Sequence, residues 1–177
     1  HLPGCALPVL TALAPFRTGG RGGPDHFVHI PAGPISRADL SALYPFTNHV
    51  AAIAVTGAEI AEWLERAATI FTHLPNDGQI HPLIDPAMPG FQFDIIAGLD
   101  YRIDLSRPAA FDIFGRPQPH PGRVTELRHA GRDLRPEDRF LLVTNSYRMC
   151  GGPLYAPLTA DKICLLPEAA RIRVRDV

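Results

Sequence analysis

Lysine is nearly missing from this sequence: Lys162 stands alone among seventeen basic residues, so almost every cation is a guanidinium. A guanidinium's planar fork suits two-point recognition of phosphate or carboxylate, and arginines are equally ordinary on a solvated surface. Net charge is missing too. A formal charge of -1 and a pI near 6.8 exclude the strong positive field that binding to polyanions requires, so neither a nucleic-acid polymer nor a membrane surface is an expected partner. No apolar run approaches the roughly 18 to 20 residues of a membrane span. The start, HLPGC, offers no initiator methionine and no charged stretch leading into an apolar one, and the chain is expected to be an excised fragment. Cys5, Cys150 and Cys164 are too few and too odd in number to pair fully, and their spacing fits no zinc ribbon or finger. There is no HExxH, no CxxC, no Asp-x-His cluster, no GxSxG elbow and no cysteine-protease signature. The eight histidines are scattered, and Asn48-His49, the one fragment suggestive of a metal ligand, lacks companions. The chain is therefore expected to hold no metal, no cofactor and no catalytic residue of its own.

What is present is enough for a core. With 177 residues, 46% hydrophobic and 20% charged, residues 1–177 read as a single domain. Nineteen prolines and fifteen glycines cut it into short elements, and no segment recurs. Residues 6–14 (ALPVLTALA) form a buried strand or a short helix. Ser36 is placed to cap a helix running to Leu43 and stopped by Tyr44-Pro45. His49 to Val55 reads as a buried strand, and Thr56-Gly57-Ala58-Glu59 as a capping box. The helix that follows carries Ile60, Trp63, Leu64, Ala67, Ala68 and Phe71 on one face, with Glu59, Glu62, Glu65 and Arg66 opposite. Residues 72–92 form a long irregular connection of the kind that is often mobile. Tyr101 to Leu105, Val124 to Arg128, and Arg139 to Thr144 predict strands, with a turn at Ala130-Gly131; Lys162 to Leu166 suits a last strand. Residues 167–177 alternate like a strand yet start with proline like a helix, and helix is the reading preferred here. The fold class expected is α+β, a layered arrangement with a mixed β-sheet packed against helices.

Three segments could carry chemistry. Phe16 to Gly23 combines four glycines with Arg17 and Arg21, which suits close approach to a phosphate and equally suits a flexible surface loop. Asn145 to Gly152 follows directly on an apolar strand, where Tyr147 could stack on a base and Arg148 add a cation. Gly90 to Asp94 places Phe91 and Phe93 two residues apart; on an extended backbone both rings would share a side, one of them as core. Rings from distant loops, such as Phe93 and Tyr147, would clamp a planar ligand.

Taken in order, ALPVLTALAPFRTGGRGGP, HIPAGPISRADLSALYPFTNHVAAIAVTGAEIAEWLERAA, FQFDIIAGLDYRIDL and GRVTELRHAGRDLRPEDRFLLVTNSYRMCGG resemble the C-terminal domain of the 5'-nucleotidase family. Within it the chain is most similar to the bacterial 2',3'-cyclic-nucleotide 2'-phosphodiesterase/3'-nucleotidase branch. The resemblance implies a nucleotide or nucleoside ligand, a periplasmic location, and a partner N-terminal metallophosphoesterase domain, absent from this chain, that holds two divalent metal ions. It also implies that Phe93 and Tyr147 sandwich the base. Tyr147, Arg148, Met149, Cys150, Gly151 and Gly152 would form the binding loop, and Arg17, Arg21 and Asn48 would face the ligand's polar groups. Several 5'-nucleotidases resembling this chain carry an aspartate after the glycine pair, where Pro153 stands here, and this favours the cyclic- and 3'-nucleotide branch. A 5'-nucleotidase or UDP-sugar hydrolase domain and a non-enzymatic nucleotide-binding module are the alternatives.

Overall fold

The computed structural model describes residues 6–14, 25–149, 163–164 and 172–174. The apolar run near the start is a strand, β1 (Val9–Leu13), whose Leu10 and Ala12 are buried while the residues between them face out. Helix α1 (Arg37–Leu43) begins as expected at Ser36, whose hydroxyl accepts from the Asp39 N–H while the Asp39 carboxylate accepts from the Ser36 N–H. Strand β2 (Val50–Thr56) leads without a loop into helix α2 (Gly57–Ala67), and Thr56 and Glu59 close the same reciprocal cap there. Such a cap contributes about 1 kcal/mol by satisfying N–H groups that the helix cannot.

Two further N–H groups at the start of α2 are satisfied from outside it: Gly57 donates to the Asp138 carbonyl at 2.8 Å and Ala58 to the Pro136 carbonyl at 3.1 Å. That approach requires glycine, because a Cβ at position 57 would lie 2.0 Å from the Arg135 carbonyl oxygen. At the far end Ala68–Ile70 tightens into a 3-10 turn, so Phe71 leaves the helical face assigned to it from the sequence and bridges Ile84 in extended conformation. Arg123, 2% exposed, closes this end by donating to the carbonyls of Ala68, Phe71 and Arg107. Cations at a helix C-terminus are favoured by the orphan carbonyls there.

The remaining elements are a 3-10 turn at Gly90–Gln92, strands β3 (Ile95–Ala97), β4 (Asp100–Ile103), β5 (Val124–His129), β6 (Arg132–Asp133) and β7 (Arg139–Asn145), helix α3 (Ser146–Met149) and strand β8 (Ile163–Cys164). The large sheet has the order β3-β1-β7-β2-β8, mixed because β1 runs parallel to β7 and the other pairings are antiparallel. The expected strands at Tyr101 and Val124 do not extend this sheet. They build a separate three-stranded antiparallel one, β4-β5-β6, turned at Ala130 and Gly131 with φ of 50° and 76° as a tight hairpin demands.

One core joins the layers. Leu10, Ile53, Val55, Ile96, Phe140 and Leu142 of the large sheet pack against Ile60, Trp63 and Leu64 of α2, with Tyr101, Val124 and Leu127 of the small sheet closing in. The α+β reading with a mixed sheet and helices thus holds. Of residues 167–177, for which a helix was preferred, only 172–174 are described, and there Arg173 bridges His49 in antiparallel fashion; the rest lie outside the described residues.

Candidate functional site

The end of the large sheet where β2 begins and β7 stops gathers most of the described residues singled out from the sequence. Strand register pairs Val50 with Asn145, and one residue further out Ser146 donates its N–H to the His49 carbonyl at 2.8 Å while its hydroxyl accepts from the His49 N–H at 3.1 Å. The turn Tyr44 to His49 is thereby held beside the start of α3.

Tyr147 is 48% exposed. Its aromatic neighbour is Phe91, edge-on at 6.2 Å and 85°. Phe93 was expected in that place and is found elsewhere: it turns its edge toward Phe71 at 5.0 Å and packs with Ile70 and Met88 in a small apolar cluster. The cause is local. The 3-10 turn at Gly90–Gln92 replaces the extended backbone that would have put Phe91 and Phe93 on one side.

Arg148 also differs from expectation. It is 5% exposed, and its guanidinium binds the carboxylate of Asp94, itself 1% exposed, through Nε at 2.8 Å and through Nη2. The second oxygen of Asp94 accepts from the indole N–H of Trp63 at 2.8 Å. Arg148 is therefore a structural cation that anchors α3 to α2, and it presents no charge to a ligand at this surface. Met149 likewise packs against the core. The sequence signal for this node was the single acid in FQFDIIA, since an acid inside an apolar stretch is buried only with a partner.

Asn48 is half-buried and donates from Nδ2 to the Tyr44 hydroxyl at 3.0 Å. Asn145 donates to the same hydroxyl at 2.9 Å and accepts the Arg148 N–H at 3.1 Å. Beside them stands a residue that sequence reasoning passed over. Phe46, 48% exposed, meets the edge of Tyr44 at 5.7 Å, three residues before the His49 backbone that is bonded to Ser146. A large ring in a turn between a helix and a buried strand was its only signal.

Arg17, Arg21, Cys150, Gly151 and Gly152 lie outside the described residues, as do Cys5 and Lys162. Among the described residues no group of three or more His, Cys, Asp or Glu side chains converges to hold a metal. No helix of the described residues is long and apolar enough to cross a membrane. What the described residues offer there is two half-exposed aromatic rings and amides oriented by hydrogen bonds.

The family described as 5'-nucleotidase, C-terminal domain, matches residues 13–160. The trifunctional nucleotide phosphoesterase protein YfkN of Bacillus subtilis is 36% identical over 159 residues, which cover 89% of this chain and 11% of that protein. A 2',3'-cyclic-nucleotide 2'-phosphodiesterase/3'-nucleotidase of Haemophilus influenzae is 34% identical over 162 residues, covering 88% of this chain and 24% of the relative. Among solved structures, a 5'-nucleotidase precursor from Thermus thermophilus superposes with a TM-score of 0.56 at 21% identity, over 82% of this chain and 23% of that one. The chain thus spans a quarter or less of the length of these relatives.

Proposed function

Because the chain belongs to the family of 5'-nucleotidase C-terminal domains, we propose that it is the nucleoside-gripping domain of a longer periplasmic phosphoesterase acting on 2',3'-cyclic and 3'-nucleotides. Curated relatives bearing that enzyme name, at 33 to 36% identity, support the substrate class. Hydrolysis is assigned to an upstream metallophosphoesterase domain with two divalent metals, which would supply the activated water. This domain orients the substrate: binding energy from the base and ribose, remote from the phosphorus, fixes the ester in place.

The observation that carries the reading is the pair of half-exposed rings, Phe46 and Tyr147, on two segments tied to each other by the His49–Ser146 bonds. Tyr147 provides one stacking face for the base. Phe46 takes the role first given to Phe93, whose ring is engaged with Phe71. Asn48 offers its amide oxygen to the base edge, and Arg17, Arg21, Cys150, Gly151 and Gly152 are assigned to the ligand's other polar groups.

Calorimetry with adenosine and 3'-AMP tests this directly. Stacking on an aromatic side chain contributes about 1 to 3 kcal/mol per base, so Tyr147→Ala and Phe46→Ala should each weaken binding by that amount. Phe93→Ala should lower stability and leave the affinity of the folded protein in place. Equal affinity for wild type and Tyr147→Ala removes the base site from this surface. Turnover of 2',3'-cyclic AMP, 3'-AMP and 5'-AMP by the complete polypeptide checks the substrate class.

A further inference from the structure

We propose that Tyr44 is a positioning residue for the nucleoside site, its hydroxyl acting as the clasp that holds the Phe46–Asn48 turn against the Tyr147 helix. The inference rests on the base-stacking reading above and names a residue to which that reading gives no role.

Tyr44 is half-buried at the end of α1, where its N–H still donates to the Leu40 carbonyl at 2.9 Å. Its hydroxyl oxygen receives two amides, Asn48 Nδ2 at 3.0 Å and Asn145 Nδ2 at 2.9 Å, matching the two lone pairs of a phenol. The Asn145 orientation has an independent cause: the Arg148 backbone N–H only donates, so it must meet Oδ1, and the NH2 is left facing Tyr44. One oxygen atom therefore joins positions 48 and 145, which lie on different segments. Asn145 is in turn continuous with the α3 anchor, because Arg148 is locked to Asp94. The Asn48 amide, with its nitrogen committed to Tyr44, turns its carbonyl oxygen away from the phenol.

The two half-exposed rings follow the clasp closely in the chain, Phe46 two residues after Tyr44 and Tyr147 two residues after Asn145. Removing one oxygen deletes both amide bonds and with them this link between positions 48 and 145. Orientation of the rings and of Asn48 before the ligand arrives would then be lost, and affinity falls when ordering must accompany binding.

The test uses the complete polypeptide and the ratio of kcat/KM on 3'-AMP to kcat/KM on β-glycerophosphate, an ester with no ring to stack. Tyr44→Phe keeps the ring against Phe46 and deletes only the oxygen. The ratio should fall about tenfold, the scale of one to two lost hydrogen bonds, chiefly through KM for the nucleotide. Loss in equal proportion on both esters would mean a general structural defect and overturns the proposal. A steady ratio in Tyr44→Phe, with Tyr147→Ala lowering it, overturns the clasp and leaves the base site standing. A steady ratio in Tyr147→Ala sinks the base site and the clasp together. Should Tyr44→Phe not fold, Asn145→Ala cuts the same link from the strand side: a fall in the ratio supports the clasp, a steady ratio overturns it.

Discussion

Replacing Asp94 by alanine gives the strongest test of how this surface is built. The carboxylate is 1% exposed and serves two donors at once, the Arg148 guanidinium and the Trp63 indole N–H at 2.8 Å. Asp94→Ala strands a guanidinium whose side chain is 6% exposed. Removing one member of a buried ion pair costs about 3 to 5 kcal/mol. An indole N–H left without an acceptor adds about 1 to 3 kcal/mol. The two share one site and do not add fully, so about 4 to 6 kcal/mol is expected, a large part of the roughly 5 to 15 kcal/mol that holds a domain folded. With a urea slope of about 2 kcal/mol per molar, the unfolding midpoint should drop by about 2 to 3 M. The double variant Asp94→Leu with Arg148→Met removes both charges and should recover much of that loss, because two apolar groups of similar volume often match a buried pair. A midpoint shift in Asp94→Ala worth less than about 1 kcal/mol, or a double variant no more stable than the single one, would refute the reasoning.

Three other perturbations address the scaffold. Gly57→Ala should cost more than about 2 kcal/mol in thermal or urea unfolding, since the added Cβ lands 2.0 Å from the Arg135 carbonyl oxygen and α2 must move off its cap. Glu126 sits in β5 at φ of 54°, and its ion pair with Arg102 is exposed, so Glu126→Gly should stabilise by about 0.5 to 1 kcal/mol, measured as a rise in Tm. Asp39, Asp77, Asp104 and Asp138 are held below the usual carboxylate value of 3.8, foremost by bonds from the Ser36 hydroxyl, the Gln79 N–H, the Ser106 hydroxyl and the Arg135 N–H respectively. A lowered folded-state pKa means a contribution complete above the unfolded value and lost as pH falls through the folded one. Tm should therefore decline on acidification below about pH 4, and a Tm that rises from pH 5 to pH 3 would contradict this.

The sequence was most readable where the controlling interactions are local. Ser36 with Asp39 and Thr56 with Glu59 are three residues apart, and the 3.6-residue stripe through Ile60, Trp63 and Leu64 repeats within one helix, so both helices were placed closely. Strands β2, β4, β5 and β7 were read as strands, whereas β3 was not and β1 was left between strand and helix; the partition between two sheets depends on pairing partners far along the chain, as does the bridge of Arg173 to His49. Arg148 shows the same limit in the site. Next to Tyr147 it reads as a ligand contact, yet its partner Asp94 lies 54 residues away and takes it inward. Phe93 was misplaced by a single 3-10 turn, a choice of backbone that GFQFD does not dictate. The segments of Asn48 and Tyr147 meet through the neighbouring His49 and Ser146, as strand-end loops of a buried sheet tend to do.

Trp63 is the sole tryptophan, fully enclosed, and its indole nitrogen touches the carboxylate that also steers α3. Nature has in effect fitted the molecule with a built-in fluorophore, wired to the stacking platform through one acid. Emission excited at the indole would register any displacement of that platform, so occupancy by a nucleoside could be followed in unlabelled protein, with no dye and no reporter substitution.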